Sequence, residues 1–302
     1  MNKQKGVAVI MAMLIVALAT TVASALIWEQ NLWLREVESE SSLAQAKAIA
    51  LAGTNVAAAI LNSDARNIDD FQGAWAQPLP PLPVETGEIS GFIQDQQGLF
   101  NLNNLVNHGK TDQDQKANFE RLLAILDIPA NLGDSLADWI DHDHDIQGSG
   151  GAENAYYLGL HPPYRAANRM LTEVGELSRI RGFNKIFIER LRPFVTALPR
   201  PTRINVNTAP AEVLSAMVDG MTLPEARTLT AQRDQNPFSS MSDFRAALPR
   251  IDLSVTDGNF SVSSHFFLVT VNTHFGRASF TLWTLLDREG NLWPSTVWQK
   301  SS

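Results

Sequence analysis

The chain has 302 residues, 44% of them hydrophobic and 19% charged, a composition that excludes disorder over most of its length and leaves room for one large domain or two ordinary ones. Lys and Arg number 24 against 32 Asp and Glu, so the net charge is −8, and such a surface repels phosphates and argues against non-specific nucleic-acid binding. Cysteine is absent, which excludes disulfides, a thiol nucleophile and cysteine-ligated metal centres.

Residues 1–6 (MNKQKG) are polar and carry Lys3 and Lys5. Residues 7–28 then hold no charge over 22 positions. As a helix that stretch is about 33 Å long, enough to cross a bilayer. The two lysines keep the N-terminus in the cytoplasm and place the bulk outside, and Trp28 falls where a membrane interface favours an aromatic ring. Three readings fit: a plain single-span anchor, a secretory signal peptide cut at Ala23-Ser24-Ala25, or a leader cut after Gly6 with the apolar helix retained. Residues 29–61 contain no proline and only Gly53 as a glycine. Leu32, Val37, Leu43, Ile49, Val56 and Ile60 mark an apolar stripe there, and Glu29, Arg35, Glu36, Glu38, Glu40 and Lys47 a wet face. The two stretches, 7–28 and 29–62, predict one continuous helix of roughly 55 residues. A signal peptide has no reason to run on in this way.

Lys5-Gly6 followed by Val7-Ala8-Val9-Ile10 resembles the type IV pilin-like family. The resemblance implies cleavage between Gly6 and Val7 by a prepilin peptidase. It also implies a helix whose first half packs in a membrane or filament while the second lies under a sheet. Most members carry glutamate at the fifth mature position, read as the partner of a neighbouring subunit's N-terminal amine; here that position is Met11. A subunit with Met11 lacks that bond to a subunit above it, which suits the tip of a filament. Taken without the resemblance, Met11 is an ordinary membrane residue.

Residues 73–87 hold Pro78, Pro80, Pro81 and Pro83, a density that no helix or central strand survives, so they form an extended connector. Residues 88–95 read as a strand and 96–98 as a turn. From 107 to 255 the periodicity is helical: 117–126, 131–140, 173–180, 185–191, 211–218 and 224–233 are short helices joined by tight turns. Residues 265–275 and 278–286 alternate and are rich in Phe, Val and Thr, with turns at Gly276-Arg277 and at 288–291 before a last strand over 292–299. Strand material on both sides of a helical block predicts an α+β fold. In it, a long N-terminal helix packs on an antiparallel sheet built from 63–106 and 256–302, with a large all-α insertion over 107–255.

The phrases DQQGLFNLN (95–103), LADWID (136–141), GAEN (151–154), YRAAN (164–168) and INVNTA (204–209), in that order behind the leader, resemble the K-type minor pseudopilin family of type II secretion. The resemblance spans nearly the whole chain. It implies a tip subunit that assembles with I- and J-type minor pseudopilins and the major pseudopilin. Such a subunit helps start a periplasmic pseudopilus for protein export, is anchored in the inner membrane by a single span and binds no nucleic acid.

The sharpest polar cluster is DHDHDIQG over 141–148. Asp141, Asp143, Asp145, a Gln147 carbonyl and Glu153 supply most of the six to eight oxygens that calcium takes, with Asn154 and Asp138 as further candidates. Ile146 stands where an EF-hand needs glycine and Glu153 comes one residue late, so the loop is of another kind; the K-type resemblance also implies calcium here, one or two ions. The competing readings are a solvated acidic loop and a transition metal on His142 and His144. Residues 204–244 resemble helix-hairpin-helix modules, but only Gly220 of the Gly-x-Gly hairpin remains, and Asp219 and Glu225 oppose phosphate. They predict a structural hairpin in which Asn205 and Asn207 tie turns and cap the next helix. No nucleophile elbow, phosphate loop or His-Glu-x-x-His spacing is present, so a non-enzymatic assembly role leads. The alternatives are a membrane-anchored helix-hairpin-helix-like DNA-binding protein and a secreted metal-dependent enzyme cut after Ala25.

Overall fold

The computed structural model describes residues 4–84, 87–290 and 292–302. Of the expected leader, Met1–Lys3 lie outside the described residues. Helix α1 runs unbroken over Gln4–Ser63, about 90 Å at 1.5 Å per residue. The triplet Ala23-Ser24-Ala25 lies inside it without a break.

The face that α1 buries differs from the predicted one. Ala46, Ala50, Thr54, Ala57, Ala58 and Leu61 are buried, whereas Leu32, Val37, Leu43 and Val56 of the expected stripe stay exposed. Small side chains win because they let the helix axis approach the sheet. A methyl built on Gly53 would lie 2.9 Å from Ile89 Cδ1 and 3.0 Å from a Val271 methyl. Gly53→Val is therefore expected to destabilise the chain by about 1–3 kcal/mol through overpacking, measured by urea unfolding; an unchanged midpoint would mean that the helix does not sit this close.

The sheet has five antiparallel strands in sequential order: β1 (Leu79–Val84), β2 (Gly87–Asp95), β3 (Phe266–Phe275), β4 (Ala278–Asp287) and β5 (Ser295–Ser301). Alternation along β3 and β4 turns Phe267, Val269, Val271, Phe275, Phe280, Leu282 and Leu286 towards α1, where Trp75 joins them. The opposite face buries Phe266 and Leu285 against Leu198. The proline-rich connector is partly a strand after all. It is the edge strand β1, the one place in a sheet where Pro80, Pro81 and Pro83 remove no needed donor.

Between β2 and β3 the chain builds a second core of its own from α2 (Gln113–Ile125), α3 (Leu132–Ile140), α4 (Asn154–Leu158), α5 (Lys185–Leu191), α6 (Ala211–Met217), α7 (Leu223–Gln235) and α8 (Met241–Ala246). The expected helix over 173–180 is a 3-10 turn, Val174–Arg179. The block is not purely helical. Phe100–Asn101 pairs in parallel with Val195–Thr196, Ile204–Asn205 in parallel with Phe260–Ser261, and Val106–Asn107 folds back on Lys110–Thr111.

Contacts along the sheet fix where this block sits. The Phe275 end of β3 lies beside the middle of α1: Thr273 donates to the Ala46 carbonyl, and Gly276 faces Ser42. The other end of β3, where the helical block enters and leaves, lies beside the C-terminal end of α1. There Arg288, just after β4 and 1% exposed, donates to the Leu61 carbonyl at 3.3 Å. The helical block is thus held at the end of α1 farthest from the apolar N-terminal half.

The joint is polar. Arg288 Nη2 donates to both Asp69 oxygens at 2.6 and 2.7 Å and to the Ser264 carbonyl at 3.1 Å. Asp95, at the end of β2, accepts from Gln97 N–H, Asn205 Nδ2, Thr208 Oγ1 and Ser264 Oγ. Burial raises the Asp95 pKa above the ordinary carboxylate value against those four donors. Helix α1, three strands and the helical block therefore meet on one buried hydrogen-bonded node.

Candidate functional site

Two regions carry the sequence-predicted site residues. The first is the N-terminal half of α1. Val7 onwards is exposed along the apolar stretch, Met11 is 62% and Trp28 71% exposed, and Trp33 is open one turn further on. Among the described residues this is the one helix long and apolar enough to cross a membrane, and none of that segment is covered by the rest of the chain. Gly6 and Val7 lie on the same helix, within its first turn. Past the span Leu32, Val37, Leu51 and Val56 are exposed as well.

The second region is the acidic loop between α3 and α4. Asp134, Asp138 and Asp141 follow a helical i, i+4, i+7 spacing and line one side of α3. Asp138 is fully buried and accepts from the Gln147 N–H at 3.1 Å. Burial first, and then the neighbouring Asp141 and Glu153 charges, push its pKa up to about 7 against that bond. Asp141 is fully buried as well. Its Oδ2 accepts from Thr111 Oγ1 at 3.1 Å and its Oδ1 has no partner. Glu153 is 4% exposed; one oxygen caps α4 at Asn154 N–H and Oε1 has no partner. Burial, reinforced by nearby carboxylates, raises both pKa values. Among the described residues the base at ion-pair distance from either is His144, 3.8 Å from Glu153.

The other predicted ligands are placed differently. Asp143 and Asp145 are exposed on the loop, and Asp143 accepts from the Asp145 N–H in an Asx turn. The Gln147 carbonyl accepts from Gly151 N–H, and Asn154 Oδ1 accepts from Ala166 N–H. Among the described residues no three acidic or histidine side chains converge on one point. The charges of Asp141 and Glu153 reach Asp138, but the three do not form a metal-holding group, and Asp143 and Asp145 are exposed on the loop. Sequence reasoning missed Asp134, Lys116 and Thr111. The signal for Asp134 was its helical spacing to Asp138 and Asp141.

The hairpin of α6 and α7 turns at Gly220 (φ 76°). Its turn is occupied by the chain itself: Arg250 donates to the Gly220 carbonyl, and Asp219 bridges Ser254. Thr222 and Glu225 form a capping box that satisfies the first amides of α7. The expectation that Asn205 and Asn207 cap a helix is corrected. Asn205 reaches Asp95 and Asp69, Asn207 exchanges two hydrogen bonds with Phe238, and α6 begins at Pro210 without a side-chain cap. Asn205 does tie a turn, its Oδ1 accepting the Asn207 N–H at 3.0 Å, while both side-chain NH2 groups go to longer-range partners.

Family models described as type II secretion system (T2SS), protein K, match residues 98–200 and 204–263, the helical block almost end to end. The type II secretion system protein K of Pseudomonas aeruginosa is 36% identical over 298 residues, covering 94% of this chain and 89% of that one. Its counterpart in Klebsiella pneumoniae is 32% identical, covering 96% and 94%. A chain of the solved GspK-GspI-GspJ complex from enterotoxigenic Escherichia coli superposes with a TM-score of 0.69 at 25% identity, covering 93% of this chain and 99% of that one. Full-length similarity, one fold and a block that the family models match leave a single assignment: the chain belongs to the type II secretion system protein K family and is a minor pseudopilin of the secretion pseudopilus.

Proposed function

We propose that this minor pseudopilin caps the membrane-distal end of the pseudopilus and helps start its assembly. The observation that carries the reading is the position of the helical block. It sits at the C-terminal end of α1, farthest from the apolar N-terminal half; with that half in the membrane, the block would stand on the distal side, where another subunit would otherwise stack. Met11 in place of the usual glutamate supports the same reading. Residues 7–28 hold the precursor in the inner membrane with its N-terminus in the cytoplasm, a prepilin peptidase cuts between Gly6 and Val7, and the bulk stands in the periplasm. I- and J-type minor pseudopilins are its neighbours, as GspI and GspJ are for the E. coli relative. They dock on α1 beyond the span, where Leu32, Val37, Leu51 and Val56 are exposed, and the major pseudopilin follows below. The role is structural, with no catalytic step.

The acidic loop is read as a calcium site. Two buried carboxylate oxygens without partners, on Asp141 and Glu153, fit a hard cation that brings its own positive charge. Asp141 and Glu153 would hold it, with Asp143 and Asp145 on the same loop, and the ion would fix the loop against α3.

Immunogold labelling of sheared pseudopili is expected to mark one end only, and label along the shaft would sink the capping role. Met11→Glu should leave membrane insertion intact and lower the fraction of filaments that this chain caps. Unchanged capping would remove Met11 from the explanation.

A further inference from the structure

The helical block divides its charge along the chain. Residues 112–154 hold ten Asp and Glu against two Lys and Arg, a net of −8. Residues 155–203 hold nine Lys and Arg against three Asp and Glu, a net of +6 in a chain whose total is −8. Some of these cations are used within the fold. Arg169 pairs with Glu176, Arg192 with Glu189 and Arg200 with Asp287, and Arg190 donates to the Leu126 and Asp127 carbonyls just past α2. Arg165, Arg179, Arg181 and Lys185 are exposed and pair with no carboxylate among the described residues. The fold gathers these four. Tyr164 Oη donates to the Arg179 carbonyl at 2.8 Å, which sets the chain at Arg165 beside the bend that carries Arg179 and Arg181. Lys185 opens α5 just after the turn at Gly182 (φ 84°). Arg181 is the most constrained: its guanidinium carbon lies 5.0 Å from the centre of the Tyr156 ring, and Nη1 donates to the Gly151 carbonyl at 2.8 Å. Nε and Nη2 have no partner among the described residues, and they form the edge that grips a carboxylate through two parallel hydrogen bonds. Apolar side chains stand among the cations: Tyr156 under Arg181, Leu158 (50% exposed) on the same short α4, and Ile186 (68% exposed) next to Lys185.

We propose that this face, with Arg165, Arg179, Arg181 and Lys185 around Tyr156 and Ile186, docks a carboxylate-bearing surface of another protein that is not a pseudopilin. Charge carries the argument. Uncompensated cations concentrated on one part of an acidic chain draw in an acidic partner and fix its orientation. The stacked Tyr156–Arg181 pair, with exposed apolar neighbours, is of the residue types that carry binding energy in protein interfaces. An anionic bilayer fits less well. Arg181 touches the acidic loop at Gly151, so a flat charged surface would also face that loop, where Asp143 and Asp145 are exposed. A protein can present its carboxylates to the basic side alone, and a pinned guanidinium suits a partner whose own groups are fixed. The four cations belong to the helical block and none lies on α1. The choice against a pseudopilin rests on the docking of those subunits along α1, proposed above.

The test uses the full-length chain in phosphatidylcholine nanodiscs, with poly-L-glutamate as the soluble probe and phosphatidylglycerol vesicles as the lipid one. Poly-L-glutamate is expected to bind, and more weakly as salt rises. Arg165 and Lys185 make no side-chain hydrogen bond among the described residues, so Arg165→Glu with Lys185→Glu leaves the fold intact. That pair should weaken binding about tenfold or more. Lys110→Glu with Arg277→Glu, an equal change of charge at exposed positions elsewhere, should leave it unchanged. The vesicles should not bind. In secreting cells, a photoreactive phenylalanine analogue at position 186 should crosslink to a protein, identified by mass spectrometry, that is not a pseudopilin. The adduct should vanish with Arg165→Glu and Lys185→Glu. Binding to the vesicles would make this a lipid face, and a pseudopilin adduct would make it a filament contact. No adduct, an adduct that survives the charge reversal, no binding of poly-L-glutamate, or equal loss in both variants would make it a solvated face. Each of these would overturn the proposal, while immunogold labelling of filament ends decides the capping role separately.

Discussion

Arg288→Met is expected to destabilise the chain by about 3–5 kcal/mol at neutral pH, the usual scale for removing one partner of a buried ion pair. The guanidinium holds Asp69, which is fully buried, through two contacts under 2.8 Å, reaches Asp64 at 3.3 Å and stacks over Phe267. Methionine fills much of the volume and leaves the Asp69 carboxylate without a counter-charge. The pH dependence identifies the cause. Burial pushes the Asp69 pKa up to about 6 in spite of Arg288 and the Ser264 N–H, with Asp95 adding to the rise. A carboxylate raised in the folded state binds its proton more tightly there than in the unfolded chain. Stability from this group is therefore highest below about pH 4 and is lost as pH rises to about 6. In the variant the lowering effect of Arg288 is gone and Asp69 stays protonated to higher pH, so the charge part of the deficit should be absent well below pH 6 and grow as pH rises above it. Unfolding at pH 7.5 and 4.5, both in chelator, measures it. An equal deficit at both values would mean that packing, not charge, is responsible.

The second large effect concerns the acidic loop. Calcium at about a hundred times its dissociation constant should stabilise the folded chain by about 2.7 kcal/mol. Asp141→Asn should reverse sign with conditions. In chelator it removes one of several crowded, buried carboxylates and should raise the melting temperature above wild type. In calcium it removes a ligand and should fall below wild type. A variant destabilised equally in both conditions would show Asp141 to be a structural acceptor for Thr111 and nothing more.

The long helix and the three long strands β2, β3 and β4 were legible because their periods are clean: unbroken helix formers in α1, and alternation in β3 and β4. The face of α1 was not. Periodicity favours the largest apolar residues, yet the sheet accepts alanines, since close approach outweighs side-chain size. Arg288 was hidden by context. In Arg-Glu-Gly-Asn it reads as a solvent turn, and only the fold reveals that Asp69, over two hundred positions away, draws it inside. The acidic loop was visible as composition, but which carboxylates are buried was not: that depends on α3 carrying Asp134 and Asp138 inward and on Lys116 of a different helix arriving beside Asp134. The two-residue parallel ladders are too short for any period to show.

The helical block leaves the sheet and returns to it at neighbouring points. Asp95 lies opposite Phe267, and the Gln96 N–H donates to the Phe266 carbonyl at 3.0 Å. The sheet thus closes as if β2 and β3 were a simple hairpin, whatever is strung between them. Because closing a longer excursion costs only about 0.6 kcal/mol for each doubling of its length, the core of α1 and five strands places almost no ceiling on what it can carry. Descent can enlarge or trim the outlying parts of that block while the residues that tie it to the sheet, Leu198, Asn205 and Thr208, and the part that fits its neighbours in the filament stay unchanged.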